Sequence, residues 1–172
     1  MVYESSKYSL ILTLLFELLT RGYLAQQPTY KPILSYAFGF QKLDFFHQGS
    51  LGIQGPKIRL EVQQGFGQRN LASSILMSQT GVQGAYRIIC RNSSINPYVR
   101  YAFGRLGVPF KFTYHSAGFG VLYILEWSKS TKIPFDFICS GDLGSGLEVQ
   151  SKSNEHRYLD YSINVGLQYA FK

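Results

Sequence analysis

Between Arg157 and Phe171 apolar and polar positions alternate without a break. Leu159, Tyr161, Ile163, Val165, Leu167, Tyr169 and Phe171 form one set, and Asp160, Ser162, Asn164, Gly166, Gln168 and Ala170 the other. Successive side chains of a strand point to opposite faces, so the segment has one continuous oily face and one small or polar face. In a soluble barrel the oily face would fill the interior, and the outside would carry Lys, Glu and Thr. Gly, Ala and Ser opposite the oily face instead fit a strand that turns its apolar side to lipid.

The same period recurs upstream. Leu34, Tyr36, Phe38 and Phe40 oppose Ser35, Ala37, Gly39 and Gln41, and Ile58, Leu60 and Val62 oppose Lys57, Arg59, Glu61 and Gln63. Val99, Tyr101 and Phe103 oppose Arg100, Ala102 and Gly104, while Phe119, Val121, Tyr123, Leu125 and Trp127 share a face. Leu122 and Ile124 fall on the other side of that last segment, which suits a partly apolar lumen. With turn signals between the segments, the pattern predicts eight strands over 33–43, 57–66, 71–79, 82–91, 97–106, 117–128, 132–141 and 157–171. A ten-strand reading makes 109–115 a strand of its own. The stretches 67–70, 92–96 and 129–131 read as short inner turns, 44–56, 107–116 and 142–156 as longer outer loops, and Thr80-Gly81 as a tight outer hairpin. The expected fold is all-β: a closed antiparallel up-and-down transmembrane barrel, because backbone groups in hydrocarbon must pair within the protein and closure removes the edges.

Composition agrees: 13 Tyr, 13 Phe and only 16% charged residues in 172 favour strands over helices. The apolar run Leu10 to Leu19 is too short to cross a bilayer as a helix, which needs about 20 residues. Followed by Ala25-Gln26-Gln27, it reads as a signal peptide over residues 1–25, leaving a barrel domain over 26–172. Loss of residues 1–25 leaves the net charge at +7, fifteen basic against eight acidic residues. The basic residues are scattered along the strands, so no nucleic-acid site is expected. Their spread suits lumen and rim positions.

Leu167-Gln168-Tyr169-Ala170-Phe171 resembles the C-terminal assembly signal of Gram-negative outer-membrane β-barrel proteins, small eight-stranded barrels of the OmpA/OmpX kind among them. The Leu24-Ala25-Gln26-Gln27 junction resembles theirs too. The resemblance implies an outer-membrane location among lipid and lipopolysaccharide, and folding by an outer-membrane insertase that reads Val165, Leu167, Tyr169 and Phe171. An even strand count places both termini in the periplasm. No attached domain follows Lys172, so a peptidoglycan anchor is not expected.

Inward charges are the first candidates for chemistry. Arg59, Glu61, Arg87, Arg100, Glu126, Asp136 and Asp160 are expected to form an ion network filling a narrow lumen. Adjacent strands lie about 4.8 Å apart, so Arg100 and Glu126 are expected to pair. His115-Ser116, in a predicted outer loop, is the one adjacent base and nucleophile. Barrel enzymes that remove acyl chains from lipid A use Ser, His and an acid, but catalysis needs both groups within hydrogen-bond reach, and strand neighbours point apart. Cys90 and Cys139 fall near opposite ends of their strands, beyond the roughly 7 Å Cα limit of a disulfide, and read as lipid-facing thiols. No metal-ligand spacing occurs near them, and no cofactor is expected. His47 and His156 read as loop residues. Phe66, Tyr98, Trp127, Tyr169 and Phe171 are expected in an inner aromatic girdle and Phe45, Phe46 and Tyr158 in an outer one. The function expected is non-enzymatic: a structural, adhesion or accessory subunit of a larger outer-membrane complex. A lipid A-modifying enzyme and a soluble lipocalin-like barrel are the alternatives.

Overall fold

The computed structural model describes residues 30–41, 44–69, 75–106, 112–149 and 155–171. The expected signal peptide over 1–25 lies outside them. The strands are β1 (Lys31–Gln41), β2 (Asp44–Gln54), β3 (Ile58–Arg69), β4 (Ile75–Tyr86), β5 (Ile88–Cys90), β6 (Ser93–Leu106), β7 (Phe112–Leu125), β8 (Phe135–Val149) and β9 (Glu155–Ala170), with one helical turn, α1 (Trp127–Ser130), between β7 and β8. All pairings are antiparallel, and the β1–β9 and β4–β6 ladders close the sheet. β4 and β5 are one barrel strand. Both follow β6 in the same register, Ala85 opposite Tyr98 and Ile88 opposite Ile95, and the ladder breaks beside Pro97, which has no N–H to give. The barrel therefore has eight strands.

Following paired residues once round, from Arg157 through Leu147, His115, Phe103, Thr80, Gln64, Gly49 and Tyr36, returns to β9 at Leu167, a shift of ten residues. With about 3.3 Å per residue and 4.8 Å per strand, that shear tilts the strands by about 40°. Leu34, Tyr36, Phe38, Phe40, Leu60, Val99, Phe119, Val121, Ile163 and Leu167 all point outward and are exposed, whereas Arg59, Glu61, Arg100, Asp160 and Gln168 are buried in the bore. This is the inside-out pattern of a transmembrane barrel. It removes the soluble lipocalin-like alternative, which needs the oily face inside.

One strand is absent from the expected eight and another is split in two, and the errors cancel in the count. The stretch 44–56, expected as an outer loop, is mostly β2. Its outward face carries His47 and Gly49 and its inward face Phe46, so its alternation is weak. Thr80-Gly81 is no hairpin: it lies inside β4, opposite Gln64 and Gln63, and the expected strands 71–79 and 82–91 merge there. With β2 present, β3 runs from the lower rim, where β1 starts and β9 ends, toward the upper rim. Residues 67–69, expected in a short inner turn, are the upper end of β3, paired with β4, and Phe66 belongs to the upper half of the wall. Of the segment 109–115 expected as a strand of its own in the ten-strand reading, the described part, from Phe112 onward, is the start of β7. Much of 142–156 extends β8 and β9, and His156 is the second residue of β9.

Candidate functional site

The lumen is the most built part of the molecule. Near the lower rim, β3 carries Arg59 into the bore, where it donates to Glu61, to Gln54 Oε1 at 2.8 Å and to Gln168 of β9. The link from β3 to β9 passes over β2 and β1, so it braces the bore. Arg87 donates to Glu126 and to the Gly55 carbonyl at 3.3 Å, and Lys129 joins Glu126 from α1. Asp136 accepts from Ser128 N at 3.0 Å and Oγ at 2.6 Å, which ties α1 to β8.

A second brace lies at mid-height. Arg100 of β6 sits 2.8 Å from both Asp142 Oδ1 of β8 and Asp160 Oδ2 of β9. Gln41 Nε2 donates to Asp160 at 3.0 and 3.2 Å, and Tyr98 and Ser162 donate to Asp142 at 2.8 and 2.6 Å. Arg100 and Glu126 are therefore not partners as expected. The shear brings Asp142 and Asp160 to Arg100, and Glu126, beyond the end of β7, reaches Arg87 instead. Between the tiers Leu122, Ile124 and Ile138 pack with Ala37 and Ala85 as an apolar plug. Level with Arg100, Gln63 donates to Gln83 at 2.7 Å, and higher Tyr114 donates to Gln79 at 2.8 Å. A void of about 20 Å³ beside Arg100, Asp142 and Asn164 is the size of one water.

Asp142 is not among the expected lumen charges, because the sequence pattern ends the strand at 141 and puts 142–156 in a loop, whereas β8 runs on to Val149. The parity of Asp136, Ile138 and Ser140 carries it inward once β8 is extended. Among the described residues the bore holds three guanidinium groups, Arg59, Arg87 and Arg100, against five carboxylates, Glu61, Glu126, Asp136, Asp142 and Asp160. Its excess is acidic although the chain carries +7.

His115 and Ser116 lie in β7 rather than in a loop, and they point apart. His115 faces outward with Nδ1 2.6 Å from the Tyr101 hydroxyl, and Ser116 is buried in the bore. That geometry forbids proton transfer between them. His47 likewise lies in a strand, β2, with Nδ1 2.6 Å from the Tyr36 hydroxyl on the outer wall. Cys90 is exposed and Cys139 half-buried, both unpaired. No group of metal-binding side chains occurs among the described residues. At the lower rim Trp127 stacks near Phe137, and Phe135, Tyr169 and Phe171 form a chain of edge contacts at 5.9 and 4.8 Å. Phe46, Tyr98 and Tyr158 point into the bore, not to a girdle. Phe46 and Tyr158 each lie where a Cβ on Gly65 or Gly146 would stand, so glycine across the ladder makes their room.

Two solved structures share this architecture. Neisserial surface protein A superposes with a TM-score of 0.50 at 15% identity, covering 83% of this chain and 96% of that one. The N-terminal β-barrel domain of OprF from Pseudomonas aeruginosa gives 0.52 at 13% identity, covering 84% and 98%. The fold is that of the small eight-stranded outer-membrane barrels. The sequence matches no protein-family model and no curated protein.

Proposed function

We propose that this chain is a non-enzymatic outer-membrane barrel that works through its outer wall and rims, as a structural, adhesion or accessory subunit of a larger outer-membrane complex. The observation that carries the reading is the pair of cross-bore braces, Arg59 to Gln168 and Arg100 to Asp160, which fill the interior and leave contact surfaces outside it. The membrane is the outer one, with both termini in the periplasm; the inside-out wall supports the membrane and the even strand count supports the shared side of the termini. Val165, Leu167 and Tyr169 lie on the outer face of β9 and Phe171 follows just past its end against Tyr169, where an insertase reading a strand edge meets them. Arg105 and Arg157, exposed on the outer face toward the upper rim, suit lipopolysaccharide phosphates. The test joins membrane fractionation and heat-modifiable gel migration with a pull-down in mild detergent. A folded, membrane-bound band that retains the same outer-membrane protein through washing is expected. A soluble band, or a barrel recovered with nothing bound, overturns the reading.

A further inference from the structure

The outer wall carries a polar island within its apolar band. Gln64 points outward from β3 between Val62 and Phe66, with Gly49 and Thr80 beside it on the neighbouring strands. Its Oε1 accepts from Thr80 at 2.6 Å, and its Nε2 reaches Ser78 at 3.4 Å. A shear of ten residues shared by eight strands shifts the level by about one and a quarter residues per strand. That brings Gln64 to the height of Phe38, Ile163, Leu143 and Phe119, all outward and exposed. The island thus sits between the Trp127–Phe171 rim and Arg105, nearer Arg105 and within the band of outward apolar residues, at the depth of acyl chains. An amide there keeps one N–H and one lone pair open, and hydrocarbon can satisfy neither. Next to it Gly49 opens a notch in which an added Cβ would meet nothing within 4 Å. Beneath it runs a groove of about 430 Å³ lined by Leu51, Leu60, Val82, Val99 and Tyr101.

We propose that this chain forms a twofold dimer within the membrane through the β3–β4 wall, Gln64 of each copy closing the hydrogen bonds left open on the other. The proposal rests on the membrane reading above. Two copies inserted in the same sense can be related only by an axis along the membrane normal, so every residue meets its counterpart at its own depth. A side-chain amide is donor and acceptor at once, and two amides across such an axis complete each other. Gly49 lets the walls approach, as small residues do between membrane segments, and the groove receives the other copy's apolar side chains at that depth.

The full chain, labelled at Cys90 in a Cys139→Ser background and refolded into phosphatidylcholine vesicles, is measured by energy transfer over a range of protein-to-lipid ratios. A saturable dimer is expected, weakened about tenfold by Gln64→Leu, since hydrogen bonds between membrane segments are individually modest. In a Cys90→Ser, Cys139→Ser background, Gln64→Cys should cross-link to itself at least about tenfold faster than Leu143→Cys, which sits at the same depth on the opposite wall. Heat-modifiable migration of each variant shows that it is folded in the membrane, and its absence in the parent chain would sink the membrane reading separately. Random energy transfer at every dilution, equal cross-linking from both walls, or a dimer indifferent to Gln64→Leu overturns the dimer.

Discussion

Arg100 is a single cation holding two carboxylates that would otherwise face each other in a bore where water has little room. Removing one member of a buried ion cluster leaves uncompensated charge, at a typical loss of about 3–5 kcal/mol. Arg100→Leu strands both Asp142 and Asp160 and is expected to lose that much. Asp160→Asn keeps a hydrogen-bonding oxygen for Arg100 and for Gln41, and Asp142 still neutralises the guanidinium, so its loss should be well under half as large. Urea unfolding in detergent micelles separates the two; equal midpoints would show that Arg100 acts through packing rather than charge. The sequence marked Arg100 as inward but not its partners. Parity tells which face a side chain takes, whereas a contact across the bore depends on the shear, which no single strand records.

Strands were legible where one face is mostly apolar. β1, β3, β6, β7 and β9 show that pattern, and the apolar residues the alternation named point outward, with Gln64, Arg105, His115 and Arg157 as polar exceptions on that face. β2 was not, because Phe46 turns inward and Gly49 and His47 turn outward, reversing the alternation at three positions. The reason for Phe46 lies on another strand: its ring needs the space above Gly65, which is invisible within 44–54. The same device recurs higher in the bore, where a Cβ on Gly104 would fall on the Tyr114 ring. Gly104→Ala must displace that ring and break its hydrogen bond to Gln79, and overpacking of this kind costs about 1–3 kcal/mol. Gly141 is the contrasting case, since its Cβ would meet only Ser162 O at 3.8 Å, an ordinary contact. Gly141→Ala should be neutral or stabilise by about 0.5–1 kcal/mol through the lost flexibility of the unfolded chain. Unfolding midpoints that fall equally for both would show that glycine is needed for strand flexibility and not for ring space.

At the scale of the whole barrel, depth and filling can be read separately. Trp127 is the one tryptophan in the sequence, and it stands exposed at the lower rim beside Phe137. Its fluorescence should be quenched more by lipids brominated near the headgroup than by lipids brominated near the chain end, and the reverse order would move the rim into the hydrocarbon. Filling is tested by current. The two braces and the apolar plug of Leu122, Ile124 and Ile138 block the bore at successive heights, so the unaltered protein should show no steady conductance in planar bilayers. Arg100→Ala removes the central brace and leaves five carboxylates against two guanidinium groups among the described lumen residues. A bore lined that way attracts cations and repels anions. Any conductance the variant gains should therefore favour potassium over chloride, measured as a shift in reversal potential across a salt gradient. Steady current through the unaltered barrel, or a chloride preference in the variant, would mean that ions follow a route other than the one these side chains close.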